Sequence, residues 1–239
     1  MDSGIDLLTE GAGQIGIYLR DEEKKKFHLY GELIHYWNRK MNLVSCGSEE
    51  ELYRLHFLDS LMCSLGYDMN APRRVIDLGS GAGFPALPLK ICFPNLRFCL
   101  VESRKKRSLF LRTVVAELDL KDCLVISERL ENIASRKEYR AVFDCAVARA
   151  LAPLRVLLEL GLPFLRCKKG KLVALKGNEA QKEIDAADKA LRVLRSRVEG
   201  VIPYSFPGER GRHVIVIAKD GETPDKFPRR PGAPAKRPL

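Results

Sequence analysis

The sequence predicts an α/β protein: a doubly wound, mostly parallel seven-stranded sheet preceded by a helical extension. Three observations point there. From about residue 71 short apolar runs alternate with longer amphipathic ones, as βαβ units require. A glycine loop, "GSGAG", joins a buried-strand run to a helix start. The residues before 71 show helical spacing of apolar side chains and no strand alternation.

The elements follow in order. Residues 1–70 form a helical subdomain. In "DEEKKKFHLYGELIHYWNRKMNL", Phe27, Tyr30, Ile34, Trp37 and Met41 recur every three or four residues and make one apolar stripe. "EEELYRLHFLDSLMCSL" repeats the pattern through Leu52, Leu55, Leu58 or Asp59, and Met62. His28, His35 and His56 sit in these helices without a carboxylate-rich set around them, so they are read as structural. The period switches at Pro72, and residues 71–220 form the sheet domain. Its strands are "RVIDLG", "LRFCLVE", "DCLVIS", "FDCAVA" and "KLVALKG", with helices near 86–92, 104–119, 152–166 and 178–196. "EGVIPYSF" and "RHVIVIAK", separated by Pro-Gly-Glu-Arg-Gly, close the sheet with one antiparallel excursion. Residues 221–239 form a tail rich in proline and basic residues. Proline spacing forbids helix and ladder alike, so the tail is expected to be extended or disordered until an anion holds it.

Composition narrows the function classes. A chain of 239 residues with 46% hydrophobic content can bury a sizeable core. No apolar run approaches the ~18–20 residues of a membrane span, and "MDSGIDLLTEGAG" lacks signal-peptide blocks, which implies a cytoplasmic protein off the membrane. Seven dispersed cysteines with no C-x-x-C pair argue against a disulfide framework and against a zinc site, so no metal is expected. A formal net charge of +10 points to a polyanionic partner, nucleic acid before lipid, since no strongly basic amphipathic helix stands out.

The loop carries the chemistry. A dinucleotide fingerprint runs G-x-G-x-x-G, its third glycine allowing close helix–strand contact under the pyrophosphate. Here Gly79 and Gly81 fit that pattern, but Phe84 stands in the third place. The pattern is instead D-x-G-x-G-x-G, over Asp77, Gly79, Gly81 and Gly83, the shape of the loop that holds S-adenosylmethionine in α/β methyltransferases. Glu102, 23 residues after Gly79, is placed to meet ribose hydroxyls; that spacing alone does not separate the two cofactors. Two other readings stand beside a methyltransferase: an NAD(P)-dependent dehydrogenase, and a non-catalytic ribosome-assembly factor that keeps the fold.

Six ordered segments make the likeness specific: "NLVS" (42–45), "HFLDSL" (56–61), "VIDLGSGAGFPALPLKI" (75–91), "LVES" followed by "KR", "ARALAPL" (148–154) and "ALKG" (174–177). In these the chain resembles the RsmG (GidB) family, the bacterial 16S rRNA guanine-N7 methyltransferases, over nearly its whole length. It departs at Ala86, where many relatives carry glycine. The resemblance implies that Gly79 and Phe84 touch S-adenosylmethionine, beside Gly81 of the same loop, and that Leu130 and Glu131 hold its adenine end. It also implies that Arg149 reaches the cofactor and the target base. Arg149 stands out independently, as a guanidinium in an apolar setting that requires a partner. The partner implied is 16S rRNA or the small ribosomal subunit, at a guanine of the decoding-region loop, with the protein acting as a monomer.

N7 of guanine carries an available lone pair, so no general base is obligatory. Neither an Asn/Asp-Pro-Pro-Tyr nor a Pro-Cys nucleophile segment occurs, which argues against amino-group and pyrimidine C5 methylation. Lys176 and Arg212, near strand ends, are candidate phosphate contacts, as are Arg104 and Lys105 of "SRKKR" and Arg229 and Arg230 of the tail.

Overall fold

The computed structural model describes residues 3–71 and 73–239. Pro72, where the hydrophobic period switches, lies outside the described residues, as do the first two residues of the N-terminal stretch. Seven strands form one sheet: β1 (Arg74–Leu78), β2 (Arg97–Val101), β3 (Cys123–Ile126), β4 (Cys145–Arg149), β5 (Lys171–Lys176), β6 (Ser196–Tyr204) and β7 (Arg212–Lys219). Their order is β3-β2-β1-β4-β5-β7-β6. β1 to β5 run parallel, and β7 inserts antiparallel between β5 and β6. In the register Ile76 lies opposite Cys99 on one side and Ala146 on the other.

The central strands are apolar throughout because both faces of the sheet are covered. Alternate side chains go to opposite layers. Val75, Phe98, Leu100, Val147, Val173, Val214 and Val216 face one hydrophobic cluster, and Ile76, Leu78, Ala146, Ala148, Leu172, Ala174, Ile215 and Ile217 face the other. The first cluster is closed by α1 (Ser3–Gln14), α2 (Asp21–Asn38), the helical run over 49–65, α5 (Ala86–Cys92) and α6 (Lys105–Glu117). That run changes pitch three times. It starts as α3 (Glu49–Leu52), capped by the Ser48 hydroxyl, widens to a π-helix (Tyr53–Leu58), returns to α4 (Asp59–Leu61) and tightens to a 3₁₀ turn (Met62–Leu65). The second cluster is covered by α7 (Leu130–Ile133), α8 (Leu154–Gly161), α9 (Ala180–Asp185) and α10 (Asp188–Val193).

Several expected boundaries shift. The helix expected near 152–166 leaves the α path at a 3₁₀ turn, Leu162–Phe164, where Pro163 has no N–H to give the ladder. The helix near 178–196 is two short ones, and β6 begins at Ser196, before the expected Glu199. α7, a single turn inside "SERLENI", is too short to leave a period in the sequence.

The tail is the main correction. It is neither extended nor disordered. It folds back over α8 and ends in a short helix, α11 (Ala233–Lys236), with Phe227 and Pro234 buried. Arg229 forms a two-pronged ion pair with Glu159, a fully buried carboxylate of α8, and adds its backbone N–H at 2.9 Å. Arg140 donates to the carbonyls of Thr223 (3.0 Å) and Phe227 (2.9 Å). Proline rules out ladders but not docking, because carbonyls of this segment are served by an arginine rather than by a strand. The signal lay in "LLELG": a glutamate on the buried face of α8 requires a cation, and the tail supplies it.

Candidate functional site

The order of parallel strands reverses between β1 and β4, so connections leave in opposite directions and a crevice opens at their carboxyl ends. The loop 79–83 follows β1, Glu102 follows β2, Leu130 and Glu131 begin the turn after β3, and Arg149 ends β4. Lys176 ends β5. Arg212 begins β7, which runs the other way, so it comes to the same edge. Topology alone gathers residues up to 133 positions apart in sequence, from Gly79 to Arg212.

The loop is shaped by backbone conformations that side chains resist. Gly79, Gly81 and Gly83 have φ of +71°, +57° and +95°. A Cβ on Gly79 would meet Leu151 Cδ1 at 2.5 Å, and one on Gly83 would meet Leu87 Cδ1 at 2.4 Å. On Gly81 the nearest atom would be 3.9 Å away, so the space over this glycine is open. Two buried groups fix the loop from below. Glu102 accepts the Gly81 N–H (3.0 Å) and the Arg104 N–H (2.7 Å), and the Tyr30 hydroxyl donates to the Ala82 carbonyl (2.5 Å). Asp77 is fully buried and neither of its carboxylate oxygens has a hydrogen-bond partner. Burial pushes its pKa up to about 8, against the opposing pull of Ser80 and Arg149. A cradle open over Gly81, beside a fully buried carboxyl group with unsatisfied oxygens, leaves room for a nucleoside.

Arg149 is the hub of the crevice. Its Nη1 donates to the Leu55 carbonyl (2.8 Å) and to Asp59 Oδ2 (3.0 Å), and its Nη2 to His56 Nδ1 (2.7 Å). All three partners lie in or just after the π-helix, whose widened pitch is a recurrent device at functional positions. The guanidinium also lies over the Phe84 ring, 4.7 Å from its centroid. His56 stacks on Phe84 (5.1 Å, 20°). Burial, then the neighbouring Arg149, lowers the His56 pKa to about 4, so the imidazole is neutral and Nδ1 is free to accept. Its Nε2 faces the Ser45 carbonyl at 3.4 Å. Asp59, fully buried, also accepts from the Tyr204 hydroxyl (2.8 Å) and Arg212 Nη1 (3.3 Å). Burial and this carboxylate hold the Tyr204 phenol well above its ordinary range.

Beside Arg149 a cleft of about 450 Å³ is lined by residues including Asp59, Leu151, Lys176, Glu183, Tyr204 and Arg212. Two expected phosphate contacts open into it with their charges already engaged. Lys176 bonds Glu183 and the Ala152 carbonyl (both 2.7 Å), and Arg212 pairs with Asp59 and Glu209. Arg104 and Lys105 stand exposed at the start of α6, with Glu102 beside them. Leu130 is buried in the second cluster, and Glu131 Oε1 accepts the Gly232 N–H of the tail at 2.9 Å. The Phe84 ring is turned into the first cluster, where it lies against Tyr30 and Phe57 as well as His56 and Arg149. Arg229 is committed to Glu159, whereas Arg230 is exposed.

His56, Asp59 and Tyr204 were missed by sequence reasoning. Asp59 had a signal, as a carboxylate at a position that continues an apolar stripe. Tyr204 had none. Among the described residues no His, Cys, Asp and Glu cluster could hold a metal, and no helix is long and apolar enough to cross a membrane.

Residues 23–210 match the model of a family described as rRNA small subunit methyltransferase G. The protein named ribosomal RNA small subunit methyltransferase G from Streptococcus equi subsp. zooepidemicus is 42% identical over 227 residues, 95% of each chain. That from Acetivibrio thermocellus is 42% identical over 235 residues, 98% of this chain and 96% of its own. Among solved structures, M. jannaschii TYW2 in complex with AdoMet superposes with a TM-score of 0.55 at 16% identity, covering 77% of this chain and 80% of that one. Aeropyrum pernix fibrillarin with natively bound S-adenosyl-L-methionine gives 0.52 at 15% identity, covering 67% and 73%. These two likenesses speak to the fold.

Proposed function

The chain belongs to the rRNA small subunit methyltransferase G family, and from that premise we propose that it methylates N7 of a guanine in 16S rRNA, in the decoding-region loop of the small subunit. S-adenosylmethionine supplies the electrophilic methyl group. The observation that carries the reading is the juxtaposition of an open glycine cradle with Arg149, held by three partners at the mouth of a second cleft. One space suits a nucleoside cofactor, and the other suits a base.

The division of labour follows from the chain's own residues. Gly79, Gly81 and Glu102 shape and brace the cofactor side, and Leu130 and Glu131 form its far wall. Arg149 orients the acceptor; the positive charge that the base gains is the one the sulfonium gives up, so the step creates no net charge. N7 presents its lone pair without losing a proton, so the site requires positioning rather than a general base. His56 agrees with this, because its accepting nitrogen already serves Arg149. In this reading the helices of residues 1–70 serve the transferase domain (71–220) by holding Arg149 in place, and residues 221–239 complete the second layer. Arg104, Lys105, Lys176 and Arg212 lie on the route of the RNA backbone. Lys176 and Arg212 would have to exchange a carboxylate for a phosphate. The target guanine must be unpaired or flipped out to enter. The protein acts as a monomer in the cytoplasm, where its substrate lies.

Incubation with tritiated S-adenosylmethionine and small-subunit particles, followed by mapping of 7-methylguanine, tests the reading. Label confined to one guanine of 16S rRNA is expected. RNA binding without incorporation would instead indicate an assembly factor, and tight NAD binding without binding of S-adenosylmethionine would indicate a dehydrogenase.

A further inference from the structure

Residues 226–237 of the tail enclose a concavity of about 940 Å³, lined by Lys226, Arg229, Arg230, Lys236 and Arg237 and by no carboxylate. Arg229 is neutralised by buried Glu159, which leaves four cations, all exposed, around one hollow. This hollow has a fixed frame. Glu159 and Arg140 hold one end of the segment, Glu131 holds the Gly232 N–H in its middle, and Leu239 packs on the second cluster. Four like charges held in one place by a folded backbone repel one another, and a string of phosphates relieves that repulsion.

We propose that this folded tail is a preformed docking surface for the phosphate backbone of the RNA substrate, contacted through Lys226, Arg230, Lys236 and Arg237, with Arg229 as its internal anchor. The proposal rests on the rRNA methyltransferase reading and adds a place for the RNA to lie. Gly232 lines the hollow and also touches Glu131 of α7, so the surface borders the rim of the cofactor crevice. An RNA strand whose base enters the crevice can therefore continue across the tail. An anionic bilayer is the rival polyanion. It suits the surface less, because Phe227 is buried and Leu239 faces the protein, leaving no large apolar side chain of the tail to insert.

The test is the triple variant Arg230→Ala, Lys236→Ala, Arg237→Ala in the full chain. Its affinity for small-subunit particles is measured across a salt series, with S-adenosylmethionine affinity and thermal unfolding as controls. A weaker affinity and a salt slope shallower by about 2–3 are expected, with both controls unchanged, because each lost phosphate contact removes roughly 0.7–0.9 from the slope. An unchanged slope in a variant with intact controls overturns the proposal while leaving the methyltransferase reading standing. Wild-type protein that incorporates no methyl label overturns that reading instead. Cosedimentation of the wild type, but not the variant, with phosphatidylserine-rich vesicles, alongside an unchanged RNA slope, would move the surface to the membrane. Arg229→Ala separates anchor from contact: it is expected to lower the unfolding temperature, and an unchanged temperature would refute its role as anchor.

Discussion

Arg149 concentrates the contacts of the site in one guanidinium with three recipients and an aromatic floor. A lysine ammonium gathers its donors at one point, so it cannot span partners divided between Nη1 and Nη2 while lying flat on the Phe84 ring. Arg149→Lys should therefore lower methyl transfer by roughly 10²-fold or more while the fold persists; single-turnover incorporation of label would measure it. The neighbouring titrations pull stability in opposite directions. His56 has a native pKa of about 4, below its unfolded value near ~6.5. Between those values the unfolded chain binds the extra proton, so this site's stabilisation is full above the upper value and shrinks as pH falls toward the lower one. Asp77, raised to about 8, does the reverse: the native state keeps a proton that the unfolded chain releases, and stability declines as pH rises from about 4 to 8. Wild type alone would show a flattened profile. His56→Asn, whose Oδ1 stands where Nδ1 was, should lose the rise between about pH 4 and 6.5, at most ~1.4 kcal/mol per unit, and Asp77→Asn should lose the decline. Urea midpoints across the pH range would reveal both differences. Arg149 was legible as a charge in an apolar run; Tyr204 was not, because nothing near it in sequence records that Asp59 lies opposite.

At the level of elements, the glycine loop shows how one motif performs two jobs. Gly79 and Gly83 are required by neighbours below, Leu151 and Leu87, whereas Gly81 borders open space. Gly79→Ala should thus cost stability through collision and left-handed backbone together. Gly81→Ala carries only the backbone penalty, about 1–2 kcal/mol, but puts a methyl group into the open space proposed for the nucleoside. Calorimetric titration with S-adenosylmethionine beside thermal unfolding should find Gly79→Ala the less stable and Gly81→Ala still folded but weak in binding. The strands of the sheet and the loop were readable because buried parallel strands are continuous apolar runs and positive φ demands glycine. The π-helix was not. Leu52, Leu55, Leu58 and Met62 keep an ordinary helical spacing, and nothing in that spacing marks the turn in which the Leu55 carbonyl accepts from Arg149.

At the scale of the molecule, the tail joins parts that the sequence seemed to keep apart. Composition was a sound guide to charge and to the absence of strands in it, but a misleading one to order. The decisive partner, Glu159, lies seventy residues away and looked like one glutamate in a leucine-rich helix. Ending the chain after Gly221 would leave that buried carboxylate without its cation, a loss of about 3–5 kcal/mol. For a protein of this size that is a fall of very roughly 10 °C in unfolding temperature, measurable by calorimetry. Glu159→Met in the shortened chain should recover most of it. The same ion pair sets an order of events during synthesis. Every strand is translated before residue 222, so a finished sheet can wait with a negative charge trapped in its oily layer until Arg229 arrives. A message cut short near its 3′ end would then yield not a slower enzyme but a loosened one, fit for proteolysis, and ribosomes would be spared an unfinished modifier.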